Sequence, residues 1–250
     1  MATPTAAQPQ RGLSCEEAAA LGPAKAMKVD DLLASLRPLA RKKGEFETTA
    51  EYEGKFTPAL EKIAAKARAT TDQDRVILAF PIRPSSMSYD ADKGQITIGS
   101  TVSRYIGLLP SKWALGAEGY IPTSSKRVGS STYVGSNAFG VKKNVIKVAT
   151  MDTGVFIPGK ALSGWPSEFS AITKAMAPRE AMVAKNSMYV MMAGRLQPPF
   201  VVTGEAYQGA TISLPIESAT KVEALKFTPE CAIVYDAGSK QVMGSVPFKR

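Results

Sequence analysis

The spacing of apolar positions changes once along this chain, near Arg75. Before that point apolar residues recur at helical spacing. Val29, Leu32, Leu33, Leu36, Leu39 and Ala40 form one stripe, which predicts a helix over about 28–43, bent or broken at Pro38 and ended at Gly44. A shorter helix is predicted from Ser14 to Gly22-Pro23, with Glu16 and Glu17 in its first turn. Thr48 and Glu51 stand at the S/T-x-x-E spacing of a capping box, in which each side chain satisfies the other's backbone N–H. Phe46 and Tyr52 are expected to clasp this helix entry. Gly54 and Thr57-Pro58 then divide the segment into two helices, about 49–56 and 58–69.

After Arg75 the signals are those of strands. Val76–Phe80 is a short apolar run bounded by prolines. Residues 87–98 alternate about the turn Ala91-Asp92-Lys93-Gly94 and predict a hairpin. A second hairpin, 231–247, repeats the Tyr-Asp-Ala that opens this turn. Between them, Tyr105–Leu109 reads as a strand and the Gly/Pro/Ser-rich stretch from Pro110 to Ser131 as a loop. Asn144–Thr150 and Gly154–Ile157 read as two strands. The preceding Gly135-Ser136-Asn137-Ala138-Phe139-Gly140 reads as a bend that seats Phe139 in the core. A phosphate cradle would need G-x-G-x-x-G and a following helix, and both are missing. A short helix is predicted over Met176–Ala184. A strand over Ser187–Leu196 should end at Pro198-Pro199, and another over Ala210–Leu214 at Pro215.

The predicted fold class is α+β, with N-terminal helices packed on a mainly antiparallel β-sheet or β-sandwich. Residues 1–14 are expected to be a disordered tail. Residues 15–250 are expected to form one domain, helical over 15–70 and β-rich over 75–250. At 44% hydrophobic residues the chain can bury a sizeable core, and no apolar run has the length of a membrane span.

Composition removes several chemistries. The chain has no histidine, which excludes Ser–His and Cys–His nucleophiles, His metal sites and imidazole switching. Neither cysteine has metal-ligand spacing, so neither a metal nor a cofactor is expected. Asp90, Asp92 and Asp152 could serve a carboxylate-based enzyme, but all three sit at predicted turns, where Asp is favoured for backbone reasons. Glu45, Glu47, Glu51 and Glu53 could be an acidic cluster, but capping already explains Glu51.

The net charge is +9, and it is unevenly placed: +1 over residues 1–75 and +8 over 76–250. Gly119–Met151 carries Lys126, Arg127, Lys142, Lys143 and Lys147 without any acid. Tyr120, Tyr133 and Phe139 lie among them and could stack on bases, so anion or nucleic-acid binding is one reading and a lysine-rich solvated loop the other. Tyr120, Lys126, Arg127, Tyr133, Lys142, Lys143 and Lys147 are the candidate binding residues.

Cys15 and Cys231 stand near opposite ends of the chain. Paired, they would tie the N-terminal segment to the last hairpin and imply an oxidising compartment; unpaired, Cys231 would be a buried strand thiol and Cys15 an exposed one. Residues 1–12 have neither the charged nor the apolar region of a signal peptide. Met1 is therefore either a native cytoplasmic start or a start placed before a mature exported chain. The Leu13-Ser14-Cys15 triplet resembles the end of a lipoprotein signal but lacks the preceding apolar stretch.

The runs FETTAEY at 46–52 and YVGSNAFG at 133–140, with Gly194-Arg195-Leu196 and the terminal Tyr-Asp hairpin, resemble a family of uncharacterised bacterial proteins of the periplasm or envelope. The resemblance implies export and a removed signal peptide, and it carries no activity or catalytic residue. The expected function is non-enzymatic: binding of a protein partner or an anionic envelope polymer through the β-rich region. A basic anion- or nucleic-acid-binding protein using 119–151 and a carboxylate enzyme are the alternatives.

Overall fold

A computed structural model describes residues 14–39, 43–67, 75–99, 119–158 and 171–248. Residues 1–13 of the expected 1–14 tail, the expected strand Tyr105–Leu109 and the first part of the expected loop lie outside these residues.

The coarse α+β class holds. Among the described residues four α-helices precede the strand β1 (Arg75–Pro81): α1 (Cys15–Leu21), α2 (Val29–Leu36), α3 (Thr49–Gly54) and α4 (Thr57–Ala67). Ser14 belongs to α1 as its N-cap: Glu17 N donates to Ser14 Oγ (3.1 Å) and Ser14 N to Glu17 Oε2 (2.8 Å). The same reciprocal box forms at α3, where Glu51 N donates to Thr48 Oγ1 (3.2 Å) and Thr48 N to Glu51 Oε2 (2.8 Å). The expected clasp is absent. Phe46 is 95% exposed, while Tyr52 is buried and meets Phe56 edge-on at 5.3 Å. Helix α2 buries Val29, Leu32, Leu33 and Leu36 and is shorter than the apolar stripe suggested. At Pro38 the chain tightens into a 3-10 turn, Arg37–Leu39, because proline has no N–H with which to continue the α ladder.

The strands form two sheets. The smaller joins β2 (Met87–Asp90), β3 (Gln95–Gly99) and β6 (Ala171–Ala175). The larger has β1 (Arg75–Pro81), β4 (Gly119–Ser136), β5 (Lys142–Ile157), β7 (Met188–Gln208), β8 (Ile216–Asp236) and β9 (Gln241–Pro247). Its order is β1-β7-β8-β5-β4, with β9 also on β8. Helix α5 (Pro178–Ala184) lies between β6 and β7. Strands β5 and β9 share one side of β8: β5 runs parallel to 216–226 and β9 antiparallel to 231–236. Among the described residues no helix is long and apolar enough to cross a membrane.

The main core lies between the inner face of the large sheet, α2 to α4 and the small sheet. Leu225, Phe227, Ala232 and Val234 of β8 all enter it, although 227 and 232 differ in strand parity. A bulge reconciles them: Gly194 faces Pro229 and Ala193 faces Cys231, so Glu230 is the extra residue that resets the alternation. On the outer face α1 covers Ile77, Met191, Ala193 and Ile233, and Cys15 is disulfide-bonded to Cys231 with 5.4 Å between Cα atoms.

Four strand expectations are corrected. Gly119–Ser131, expected as loop, is part of the 18-residue β4. The two strands expected at 144–157 are one strand, β5. Strand β7 does not end at Pro198-Pro199. It passes through this cis pair, shifts register between Leu196 and Val201, and seats Phe200 against Phe56 at 4.5 Å. Ala210–Leu214 is a turn rather than a strand, held by Leu214 N donating to Thr211 Oγ1 (3.0 Å), while the strand starts at Ile216. Phe139 is also misassigned by its sequence: it sits at the β4–β5 hairpin tip, 91% exposed, beyond Asn137, whose Oδ1 accepts from Phe139 N and Val141 N at 3.0 Å each.

The two Tyr-Asp-Ala turns are alike in mechanism. Asp90 Oδ1 accepts from Asp92 N (3.1 Å) and Lys93 N (3.2 Å), and Asp236 Oδ1 accepts from Gly238 N (2.9 Å). The echo is therefore turn chemistry.

Candidate interaction surface

The candidate residues lie on one long ribbon, β4–β5, which continues across the sheet into β8 and β7. Alternation along these strands decides what each residue can do. Lys126 opposes Met151, Tyr133 opposes Val145 and Gly135 opposes Lys143, while Lys147 opposes both Ser131 and Glu217. This register puts Lys126, Tyr133, Lys143 and Lys147 on the inner face. Arg127, opposite Thr150, and Lys142, opposite Ser136, fall on the outer face. The basic stretch is thus split between two faces rather than gathered into one patch.

Tyr120 separates from the others. It is buried at the base of β4 with Phe156, Val202, Val222 and Ala224, and its hydroxyl has no hydrogen-bond partner among the described residues. Burial, and then the charge of Asp152, pushes its pKa far above the ordinary tyrosine value. It packs against Gly154, where a Cβ would come within 2.5 Å of its ring and 2.3 Å of Ile121 O. Tyr120 is a core residue and is not available to stack on a base.

Lys147 is occupied as well. Its Nζ lies 2.9 Å from Glu217 Oε1, and Tyr133 Oη donates to Glu217 Oε2 at 2.8 Å. Lys147 and Tyr133 together hold the Glu217 carboxyl below its ordinary pKa, and Glu217 raises the pKa of both partners. A lysine paired in this way adds little to a field that would attract phosphates.

A clamp marks where helix cover on the inner face stops. Arg37, just after α2, donates through Nε to Glu223 Oε1 (2.8 Å) and through Nη2 to Glu223 Oε2 (2.6 Å). Beside it Thr153 Oγ1 donates to Asp30 Oδ1 (2.6 Å). Beyond these contacts the strands run on as an arm. On its outer face Val134, Ile146 and Ile216 are 64%, 44% and 40% exposed, and Ile146 is the direct neighbour of Ile216. Phe139, Val141, Ile212 and Leu214 add exposed apolar groups around the tip, and Val128 adds another at the second bulge of β4. Most of the exposed large apolar side chains among the described residues belong to this arm. A cavity of about 140 Å³ at the tip is lined by Tyr133, Asn137, Val141, Lys143 and Ile212 among others.

Strand β4 has no partner on its second edge among the described residues. Its register shifts at Thr123 and Val128, and Pro122, Lys126 and Arg127 lie between or beside those bulges. Bulges, proline and cations on an edge discourage pairing with another strand, so the faces of the arm are better suited to contact than its edge.

The acidic candidates do not converge. Asp90 and Asp92 are in the β2–β3 turn of the small sheet, whereas Asp152 is on β5 and accepts from Ser125 Oγ at 2.6 Å. Glu51 is held below its ordinary pKa by hydrogen bonds from Thr48, and Glu47 accepts from Gly44 N (3.0 Å) and pairs with Lys55. Among the described residues no three His, Cys, Asp or Glu side chains are grouped so as to hold a metal. No protein-family model, no curated protein and no solved structure matches the chain.

Sequence reasoning missed Val134, Ile146, Glu217 and Ile216. Thr132-Tyr133-Val134 carries a strand signal that the surrounding Gly and Ser obscure, and the strand signal of Asn144–Thr150 does not say which face Ile146 takes or what covers it. The pairing of Glu217 with Lys147 depends on a parallel register between distant strands and has no local signature.

Proposed function

We propose that this chain is a non-enzymatic binding protein of an oxidising, extracytoplasmic compartment that holds a protein partner through the outer face of its sheet arm. One observation carries the reading: apolar side chains are concentrated where neither helix nor strand covers them among the described residues, with Val134, Ile146 and Ile216 adjoining. Arg127 and Lys142 share that face, which favours a partner whose apolar surface is rimmed by acids. The disulfide and the resemblance to exported bacterial proteins support the compartment. An anionic envelope polymer is the second form of this reading, favoured by the net charge of +9.

A photo-crosslinking residue at Ser218 tests the proposal, with Lys93 in the β2–β3 turn as control position. The expected result, in cells that make the protein natively, is one discrete adduct from position 218, lost with Ile146→Asp while thermal stability is kept. Equal labelling from 218 and 93, or an adduct indifferent to Ile146→Asp, would refute it. Retention on heparin that is lost between 150 and 500 mM salt, and lost with Lys126→Gln and Lys143→Gln, would instead establish the anion-binding alternative.

A further inference from the structure

On the outer face of the large sheet, away from the arm, a trough of about 540 Å³ lies beside α1. Its size is within the usual range for small-molecule sites. The end of α1 and the following turn form one wall through Leu21, Gly22 and Pro23. The sheet supplies Ala79, Tyr189 and Tyr235. Lys28 stands beyond the β1 edge and Lys240 in the β8–β9 turn, at opposite ends, roughly 15 Å apart by strand spacing.

The lining is apolar with a few polar groups, and those polar groups are unused. Tyr189 and Tyr235 are directly opposed on β7 and β8. Tyr235 is only 9% exposed, yet its hydroxyl has no hydrogen-bond partner among the described residues and faces the trough beside Gly22. The side chains of Tyr189, Lys28 and Lys240 likewise have none among the described residues. Among the described residues no acid lines the trough. The nearby Asp236 carboxylate is engaged by Ser187, Gly238 and Ser239. The Tyr235 hydroxyl is thus left open to the trough as a donor, and the two cations beside its alanine-lined wall have no counter-charge among the described residues.

We infer that this trough binds a small amphipathic carboxylate: its apolar body lies along Ala79 and Leu21, a terminal lysine takes the carboxylate, and the tyrosine hydroxyls donate to its oxygens. The site is independent of the arm and does not rest on the function proposed above. Its chemistry follows from the lining. An alanine-lined trough accepts methylene groups, while ammonium and phenol donors suit a carboxylate.

Calorimetric titration of the oxidised, full-length protein with decanoate, decyl maltoside and acetate tests the inference. Decanoate is expected to bind saturably at one site, with acetate and the uncharged decyl maltoside at least about tenfold weaker. Lys240→Gln or Lys28→Gln should weaken decanoate about tenfold, and Tyr235→Phe should weaken it severalfold, with unfolding temperature kept. Ala79→Leu should abolish binding by filling the trough. Should that variant fail to fold, the lysine and tyrosine variants decide. Absence of saturable decanoate binding, equal affinity for decyl maltoside, or decanoate affinity unchanged in both lysine variants and in Tyr235→Phe would overturn the inference.

Discussion

The same three strands, β5, β7 and β8, run through two unlike regions. At the base every residue of β8 from Cys231 to Asp236 is buried, as is β5 from Gly154 to Ile157. In the arm, Ile216 and Lys221 are exposed, Ser218 to Thr220 are half-buried, and β7 is largely exposed from Thr203 to Gln208. The backbone hydrogen bonds are of one kind throughout. What differs is what lies over the faces: α1 on one side of the base and α2 to α4 on the other, with no helix over the arm among the described residues. Ladder bonds keep the arm in shape, while burial supplies most of the stability of the base.

If that division is right, substitutions should separate by region. The largest loss should follow Cys15→Ser with Cys231→Ser, about 5 kcal/mol by loop closure, read as a fall in denaturant midpoint. Phe227→Ala, at a fully buried position of the base, should cost about 3–5 kcal/mol in the same experiment. Gly194→Ala should cost about 1–3 kcal/mol or more, since a Cβ there meets Thr228 O at 2.2 Å and the Phe227 ring at 2.7 Å. Ile146→Thr in the arm should stay within about 0.5 kcal/mol; a loss as large as that of Phe227→Ala would abolish the distinction.

Acid should also act on the two regions through different groups. Burial pushes the Asp236 pKa up, but hydrogen bonds from Ser187, Ser239 and Gly238 outweigh it and hold the carboxyl below its ordinary value. A depressed folded pKa gives stability that is present above the unfolded value of about 3.9 and is lost as pH falls through the folded value. Asp236→Asn should therefore flatten the acid limb of the stability curve. Glu217→Gln should change that limb far less and act instead on the arm, removing the dependence of the Tyr133 resonances on acid. A stability curve altered more by Glu217→Gln would reverse the assignment.

The base was largely legible in sequence and the arm was not, for one physical reason. Val76–Phe80, Ser187–Leu196 and the last hairpin are apolar because they are buried, and both capping boxes are local. Strand β4 buries little beyond Tyr120 and Ile121, so its Ser, Thr and Gly residues look like loop. Pro198-Pro199 looked like a terminus because the register shift between Leu196 and Val201, across which β7 resumes its pairing with β8, has no sequence mark. The candidate site suffered from the same blindness. Charge drew attention to Lys126, Arg127, Lys142, Lys143 and Lys147, but faces are assigned by register, and the register divides them. Tyr120 and Phe139 changed places: the tyrosine taken for a surface residue is buried, and the phenylalanine taken for core is at the tip.

The Cys15–Cys231 bond has a mechanical consequence. It joins residues 216 apart, so nearly the whole sheet lies inside a covalent ring. Tension applied at the two chain ends enters at Cys15 and leaves at Cys231 without passing through β1, β5 or β7. Among the described residues, β9 and the end of β8 from Ala232 to Asp236 lie outside the ring and can be peeled away under load. Pulled from its ends in an optical trap, the oxidised protein should extend by little more than the residues outside the ring, 1–14 and 232–250, whereas the reduced protein should pay out its full contour.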